Sequence, residues 1–327
     1  MSVPQSQMTT SSTKIIAVVG PTASGKSELA VRIAKMFNGE IISCDSRQIY
    51  TGMDIGTGKV PGKWGKNTGI HPSAPKSKIE GRIFLYKSVP HHCIDYVDPN
   101  KQYSVSLFQH DAQAAMQDIR SRGKLPILCG GTGLWVDAVA LNQKIPEVKP
   151  NLKLRKELEK HSLDELYDQL KKLDPDRAAV IDWHNPRRLI RALEIVLTTG
   201  KPVPIQSKLS NPQSNILWFG VYLGQDELFE NIKKRLRERL KNGMIKEVQQ
   251  LHASGLSWQR LEDFGLEYKY ASLFLQKKLT EEEMFDQLLL AIQHYAKRQM
   301  TWFRRNENIL WLQPDMDLEP IIKKFLK

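Results

Sequence analysis

Cysteine is scarce: the 327 residues include three, Cys44, Cys93 and Cys129, with no CxxC spacing. That excludes a disulfide framework, argues against structural zinc, and fits a reducing compartment. No stretch approaches the ~20 apolar residues needed to span a bilayer, and the N-terminal MSVPQSQMTTSSTK lacks the apolar segment of a secretion signal. The expectation is a cytoplasmic chain, monomeric, with no membrane partner and a disordered leader over 1–13. Acid is also in deficit: 36 Asp and Glu against 48 Lys and Arg leave a formal charge of +12. Such a balance favours polyanionic partners, because binding them releases condensed counterions.

What is present reads as an α/β protein. KIIAVVG from Lys14 is a short apolar run ending in glycine, as a buried parallel strand would be. SELAVRIAKMF places Leu29, Ile33, Met36 and Phe37 on one helical face, and EIISC from Glu40 predicts a second strand. A helical pattern over Ser106 to Arg122 followed by KLPILCGG repeats the unit. The fold class expected is α/β, a P-loop-like parallel sheet flanked by helices, with core segments 14–142 and 209–327. Between them, 143–208 carries charged amphipathic helices without a strand signal and is expected to be a helical insertion. The stretch from Lys59 to Arg82, rich in Gly, Pro and Lys, predicts an exposed loop. ILWFGVYL from Ile216 predicts a strand, and everything from Asp226 onward a run of helices.

Gly20, Pro21, Thr22, Ala23, Ser24, Gly25, Lys26 and Ser27 satisfy GxxxxGK[ST] between a predicted strand and a predicted helix. In that context the loop amides and the helix N-terminus favour phosphate, Lys26 neutralises its oxygens, and the Ser27 hydroxyl can hold Mg²⁺. The eight residues together form a diphosphate site. Missing is the carboxylate that a P-loop ATPase carries after a later apolar strand to hold its metal. That strand end reads Gly130-Gly131-Thr132-Gly133, small residues that suggest a passage. An acid does follow the second strand. Asp45 sits where ligands gather in open α/β sheets, although an ordinary N-cap role is also open on local sequence.

GPTASGKS, ISCDSRQIYTGMDIGTGK, PHHCIDYVDPNKQYS, PILCGGTGLW, NPRRLIRALEI and AKRQMTWFRR, in this order, resemble the tRNA dimethylallyltransferase family from about Lys14 to Trp311. The resemblance implies a phosphate loop holding dimethylallyl diphosphate, with Mg²⁺ as cofactor. Asp45 is implied as the general base for an adenine N6 amine, with Ser46, Arg47 and Gln48 against the target nucleotide, Thr132 at the reacting atoms and Arg235 on the diphosphate. The implied partner is the tRNA anticodon loop, at the adenosine 3′ of the anticodon. Its phosphates would meet Arg155 with Lys153 and Lys156, the run Arg187, Arg188, Leu189, Ile190 and Arg191, and Lys297, Arg298 and Arg304 with Arg305. Where many relatives carry a cation, this chain has Glu267.

Three rivals share the local motifs: a P-loop kinase using Asp45 as base, an enzyme prenylating free AMP or ATP, and a non-catalytic RNA-binding module. Adjacent His91 and His92 beside Cys93 and Asp95 invite a metal reading, but no further ligand is spaced to join them. Trp135 and Trp302 read as core aromatics.

Overall fold

The computed structural model describes residues 14–66, 81–204, 215–313 and 316–327. The leader expected at 1–13 lies outside the described residues. The chain divides into two compact units, Met1–Leu141 with Pro212–Lys327, and Asn142–Asn211.

The larger unit is built on one sheet of eight strands. β1 (Ile15–Val19), β2 (Gly39–Ser43), β6 (Leu125–Gly130) and β7 (Ile216–Val221) form its parallel centre. β5 (Val89–His92) and β8 (Ile309–Leu312) extend it in parallel on either side, and the antiparallel pair β3 (Lys63–Lys66) and β4 (Arg82–Tyr86) closes one edge. The spatial order is β3-β4-β5-β2-β6-β1-β7-β8. The period of two along β1 sends Ile15, Ala17 and Val19 into one apolar layer and Ile16 and Val18 into the other. α1 (Lys26–Met36) and α13 (Glu319–Leu326) cover the second layer. α2 (Val105–Ser121), α3 (Gly133–Ala140), α9 (Met244–Ala253), α10 (Trp258–Phe264) and α11 (Leu266–Leu275) pack on the first. α8 (Gln225–Lys241) and α12 (Glu281–Phe303) share a further cluster through Leu228, Ile232, Leu236, Leu288 and Ile292. No described helix is long and apolar enough to cross a membrane.

The smaller unit is all helix: α4 (Leu152–Leu158), α5 (Leu163–Leu173), α6 (Pro175–Val180) and α7 (Pro186–Thr199) around Leu166, Leu170, Leu189 and Leu193. Asn151, Ser162, Asp174 and Asn185 cap their N-termini by accepting backbone N–H bonds.

Three elements depart from the sequence reading. Lys59 to Arg82 is not simply an exposed loop. The Lys59 side chain is only 4% exposed, clamped between Asp54 and Asp95 at 2.5 Å each, and Trp64 Nε1 donates to Asp95 at 2.8 Å. KWGK then pairs with β4 as an edge strand; residues 67–80 lie outside the described residues. β8 interrupts the C-terminal helices, and VPHH forms β5. His91 Nδ1 bonds Val89 O at 2.9 Å, and His92 bonds the buried Glu40 at 2.7 Å.

Candidate active site

Three strand ends meet at the carboxyl edge of the parallel sheet, the edge where open α/β sheets place ligands. After β1 comes the phosphate loop. Gly25 holds the residue before α1 at φ 89°, a left-handed conformation that favours glycine and turns the chain into the helix. Lys26 Nζ donates to Pro21 O at 3.1 Å across the loop, and the buried Ser24 hydroxyl has no partner among the described residues. Burial, the largest influence, lowers the Lys26 pKa from its ordinary value, against the opposing pull of Cys129 and Asp45.

Asp45 follows β2. Its Oδ1 accepts N–H bonds from Arg47 at 2.9 Å and Gln48 at 3.4 Å, which hold a turn; the N-cap role left open by the sequence is not realised, because no helix follows before β3. Nothing among the described residues bonds Oδ2, so the same carboxylate keeps an oxygen for chemistry. Thr132, after β6, accepts the Ser46 N–H at 3.2 Å. Near it stands Tyr295 of α12, whose pKa is pushed up to about 12, first by burial and then by Asp45.

In the Gly-Gly-Thr-Gly segment that ends β6, Gly130 lines the cavity, while Gly131 and Gly133 are pressed by other groups. A Cβ on Gly131 would stand 2.3 Å from Gln299 Nε2, and one on Gly133 2.1 Å from the Trp302 ring. The glycines are there because other groups press against the backbone. Gln299 uses that closeness: its Oε1 accepts the Thr22 N–H at 2.8 Å and its Nε2 donates to Gly131 O at 2.9 Å, tying the phosphate loop to the neighbouring strand end.

A cavity of about 290 Å³ opens among these ends. It is lined by Thr22, Lys26, Ser27, Asp45, Ser46, Arg47 and Gln48, and from α8 by Arg235. Thr132 is not among the lining residues but lies directly behind Ser46. Gly20, Pro21, Ala23, Ser24 and Gly25 frame the loop. Arg47 is drawn toward α10, with Nη2 at 3.5 Å from Asp263 O and the guanidinium 5.5 Å from the Phe264 ring centre. Lys297, Arg298 and Arg304 are exposed on and just after α12, standing over Phe229, Tyr295 and Tyr222 respectively.

In the helical unit the expectations separate. Arg187 and Arg188 are exposed, Arg188 bonding Asp182 at 3.1 Å. The side chains of Leu189 (0% exposed) and Ile190 (8%) are buried in that unit's core. Arg155 and Arg191 are tied to the enclosed Glu194, Arg155 by two bonds of 2.9 and 2.7 Å.

The sequence reading passed over Tyr295, Gln299 and Glu247. Glu247 accepts the N–H groups of Asp54, Ile55 and Gly56 at 2.7–3.0 Å and the Tyr268 hydroxyl at 2.7 Å, fixing the segment that carries Gly56 to Gly58 along the cavity wall. The repeated motif residues of IYTGMDIGTGK were the available signal for that wall.

Known proteins share this arrangement. A family described as IPP transferase matches residues 79–306, and one described as isopentenyl transferase matches 13–63. The tRNA dimethylallyltransferase 1 of Syntrophus aciditrophicus is 41% identical over 92% of this chain and 94% of its own, and the tRNA dimethylallyltransferase 2 of Trichlorobacter lovleyi 42% over 92% of each. The solved tRNA isopentenylpyrophosphate transferase of Bacillus halodurans superposes with a TM-score of 0.63 at 36% identity, over 96% of this chain and 94% of that one. A eukaryotic dimethylallyltransferase captured acting on tRNA gives 0.67 at 28% identity, over 89% and 69%. With two matching families of one chemistry and relatives aligned along nearly its whole length, the chain belongs to the tRNA dimethylallyltransferases.

Proposed function

We propose that the chain transfers a dimethylallyl group from dimethylallyl diphosphate to N6 of the adenosine 3′ of the anticodon in tRNA, releasing diphosphate. The observation that carries this reading is one cavity holding both halves of the reaction. Lys26, Ser27 and Arg235 stand at its phosphate end, and Asp45, with an oxygen to spare, shares the same space.

An exocyclic adenine amine is a weak nucleophile, its lone pair delocalised into the ring, so positioning and a proton acceptor matter most. As the N6–C1 bond forms, the proton leaves N6 for Asp45 Oδ2, and the C1–O bond breaks with its electron pair going to diphosphate. Lys26, Arg235 and the loop amides stabilise the charge that grows there. The donor set at Ser27 fits a magnesium ion. The protein offers a single hydroxyl, and no cluster of three or more His, Cys, Asp or Glu exists among the described residues, so the remaining ligands would be diphosphate and water oxygens. When bound, the ion would withdraw charge from the leaving group. Reaching N6 requires an unstacked base, which a single-stranded loop yields cheaply. Exposed Arg187, Arg188, Lys297, Arg298 and Arg304 supply the cations for its backbone.

The test is labelled dimethylallyl diphosphate incubated with undermodified tRNA, and in parallel with AMP and ATP. Label should enter tRNA at the adenosine after the anticodon. Label in the free nucleotides, or ATP consumption that needs no isoprenoid, would overturn the assignment.

A further inference from the structure

Arg235 and Arg239 lie one turn apart on α8 and line the same cavity as Lys26, but their circumstances differ. The Arg239 guanidinium is paired with the Glu267 carboxylate of α11 and also donates to Gly56 O at 3.3 Å. Both partners are nearly enclosed, with 14% and 10% of their side chains exposed. The backbone closes over the pair as well: a Cβ on Gly58 would come within 2.1 Å of Arg239 Nη2. Arg235 has no carboxylate within ion-pair distance among the described residues. A cation held in an enclosed pair is not available to a ligand unless the pair is broken, and breaking it strands a buried charge. Every further phosphoryl group brings negative charge that must be met in a site of low dielectric.

We propose that Glu267 sets how many phosphoryl groups the cavity accepts: with Arg47 drawn away onto Asp263 O and the Phe264 ring, Glu267 by occupying Arg239 leaves Lys26 and Arg235 for a diphosphate and no further cation for a third phosphoryl. The cavity thereby discriminates isoprenoid diphosphates from nucleoside triphosphates, which share the phosphate-loop motif and are abundant competitors. This rests on the placing of the donor's diphosphate at Lys26 and Arg235 given above. It makes Glu267 a specificity residue that acts through Arg239.

Calorimetric titration of the full chain with magnesium pyrophosphate and magnesium tripolyphosphate tests this without tRNA or turnover. The native chain should prefer pyrophosphate. Glu267→Gln keeps the side chain's shape and releases Arg239. It should tighten tripolyphosphate by about tenfold more than it tightens pyrophosphate, a difference of the size one new charge-assisted contact gives. The double variant Glu267→Gln/Arg239→Gln, which removes both charges, should return the native preference, whereas Arg235→Gln should weaken both ligands. Equal tightening of both ligands by Glu267→Gln, or a double variant that keeps the altered preference, overturns the proposal. Should Glu267→Gln fail to fold, the double variant decides alone, because exchanging both members of an enclosed pair is tolerated better than removing one. Pyrophosphate binding within about threefold of native supports the proposal, and a loss matching that of Arg235→Gln sinks it. If the titrations succeed but no prenyl transfer to tRNA occurs, the donor assignment fails while the rule on phosphate number stands.

Discussion

Asp45 carries two duties on two oxygens, and they can be separated by substitution. Oδ1 holds the turn through Arg47 and Gln48, and Oδ2 is the proton acceptor in the proposed mechanism. Asp45→Asn keeps an oxygen for the turn and loses the base. Its kcat should therefore fall by roughly 10²–10⁴, the usual worth of a positioned base, while its melting temperature stays near native. Asp45→Ala should lose the same turnover and also about 1 kcal/mol of stability, the cost of the lost turn hydrogen bonds. Steady-state kinetics alongside thermal melting gives both numbers; an Asn variant with near-native kcat would remove Asp45 from the chemistry. Asp45 was legible because a lone acid after an apolar strand is conspicuous. Tyr295 and Gln299 were not, because each sits in an ordinary amphipathic helix and gains meaning only when the sheet brings α12 against loops more than 160 residues away in sequence. Glu247 was hidden for the same reason.

Among the elements, the central strands were readable as apolar runs with turn glycines, and the long helices as periodic stripes. The shorter strands were not. ILWL is four residues long and follows α12 after the short stretch from Arg304 to Asn308, so its apolar run is compatible with continued helix. KWGK has no alternation to read, and it becomes a strand by pairing with β4 while Trp64 and Lys59 are anchored on Asp95. In the helical unit, α4 and α7 are joined by Glu194. Burial acts to raise its pKa, but the Arg155 pair, the Asn151 N–H and Arg191 outweigh that and hold the carboxyl at about 2. Its folded pKa lies below the unfolded one, so its contribution to stability is present above about pH 4.5 and disappears as the pH falls toward 2. Both arginines stay about one-third exposed, which trims the value of the cluster. Glu194→Gln should still cost about 2 kcal/mol at pH 7, with the gap between variant and native narrowing below pH 4. Hydrogen exchange of α4 and α7 amides in the full chain measures this directly. A pH-independent difference would show that the pair does not hold the helices together.

At the scale of the whole molecule, a charge of +12 is shared between two tasks that salt should affect differently. Lys26 and Arg235 line a cavity, where the proposed function sets them on a compact anion. Arg187, Arg188, Lys297, Arg298 and Arg304 are exposed, and any phosphate they meet brings condensed counterions that are released on contact. Charge alone pointed to a polyanion from the composition, but composition could not say which cations were free. The structure divides them: Arg155 and Arg191 are spent on Glu194, and Leu189 and Ile190 are interior. Raising salt from about 50 to about 200 mM should weaken tRNA binding by orders of magnitude, linearly in log Kd against log salt. Arg187→Ala and Arg188→Ala should each lower that slope by about 1, whereas Arg155→Ala should change it less and act mainly on stability. Filter binding across a salt series gives the slopes. If the Arg155 variant flattens the slope as much as the Arg188 variant does, the ion pair with Glu194 opens on binding and Arg155 belongs with the RNA contacts.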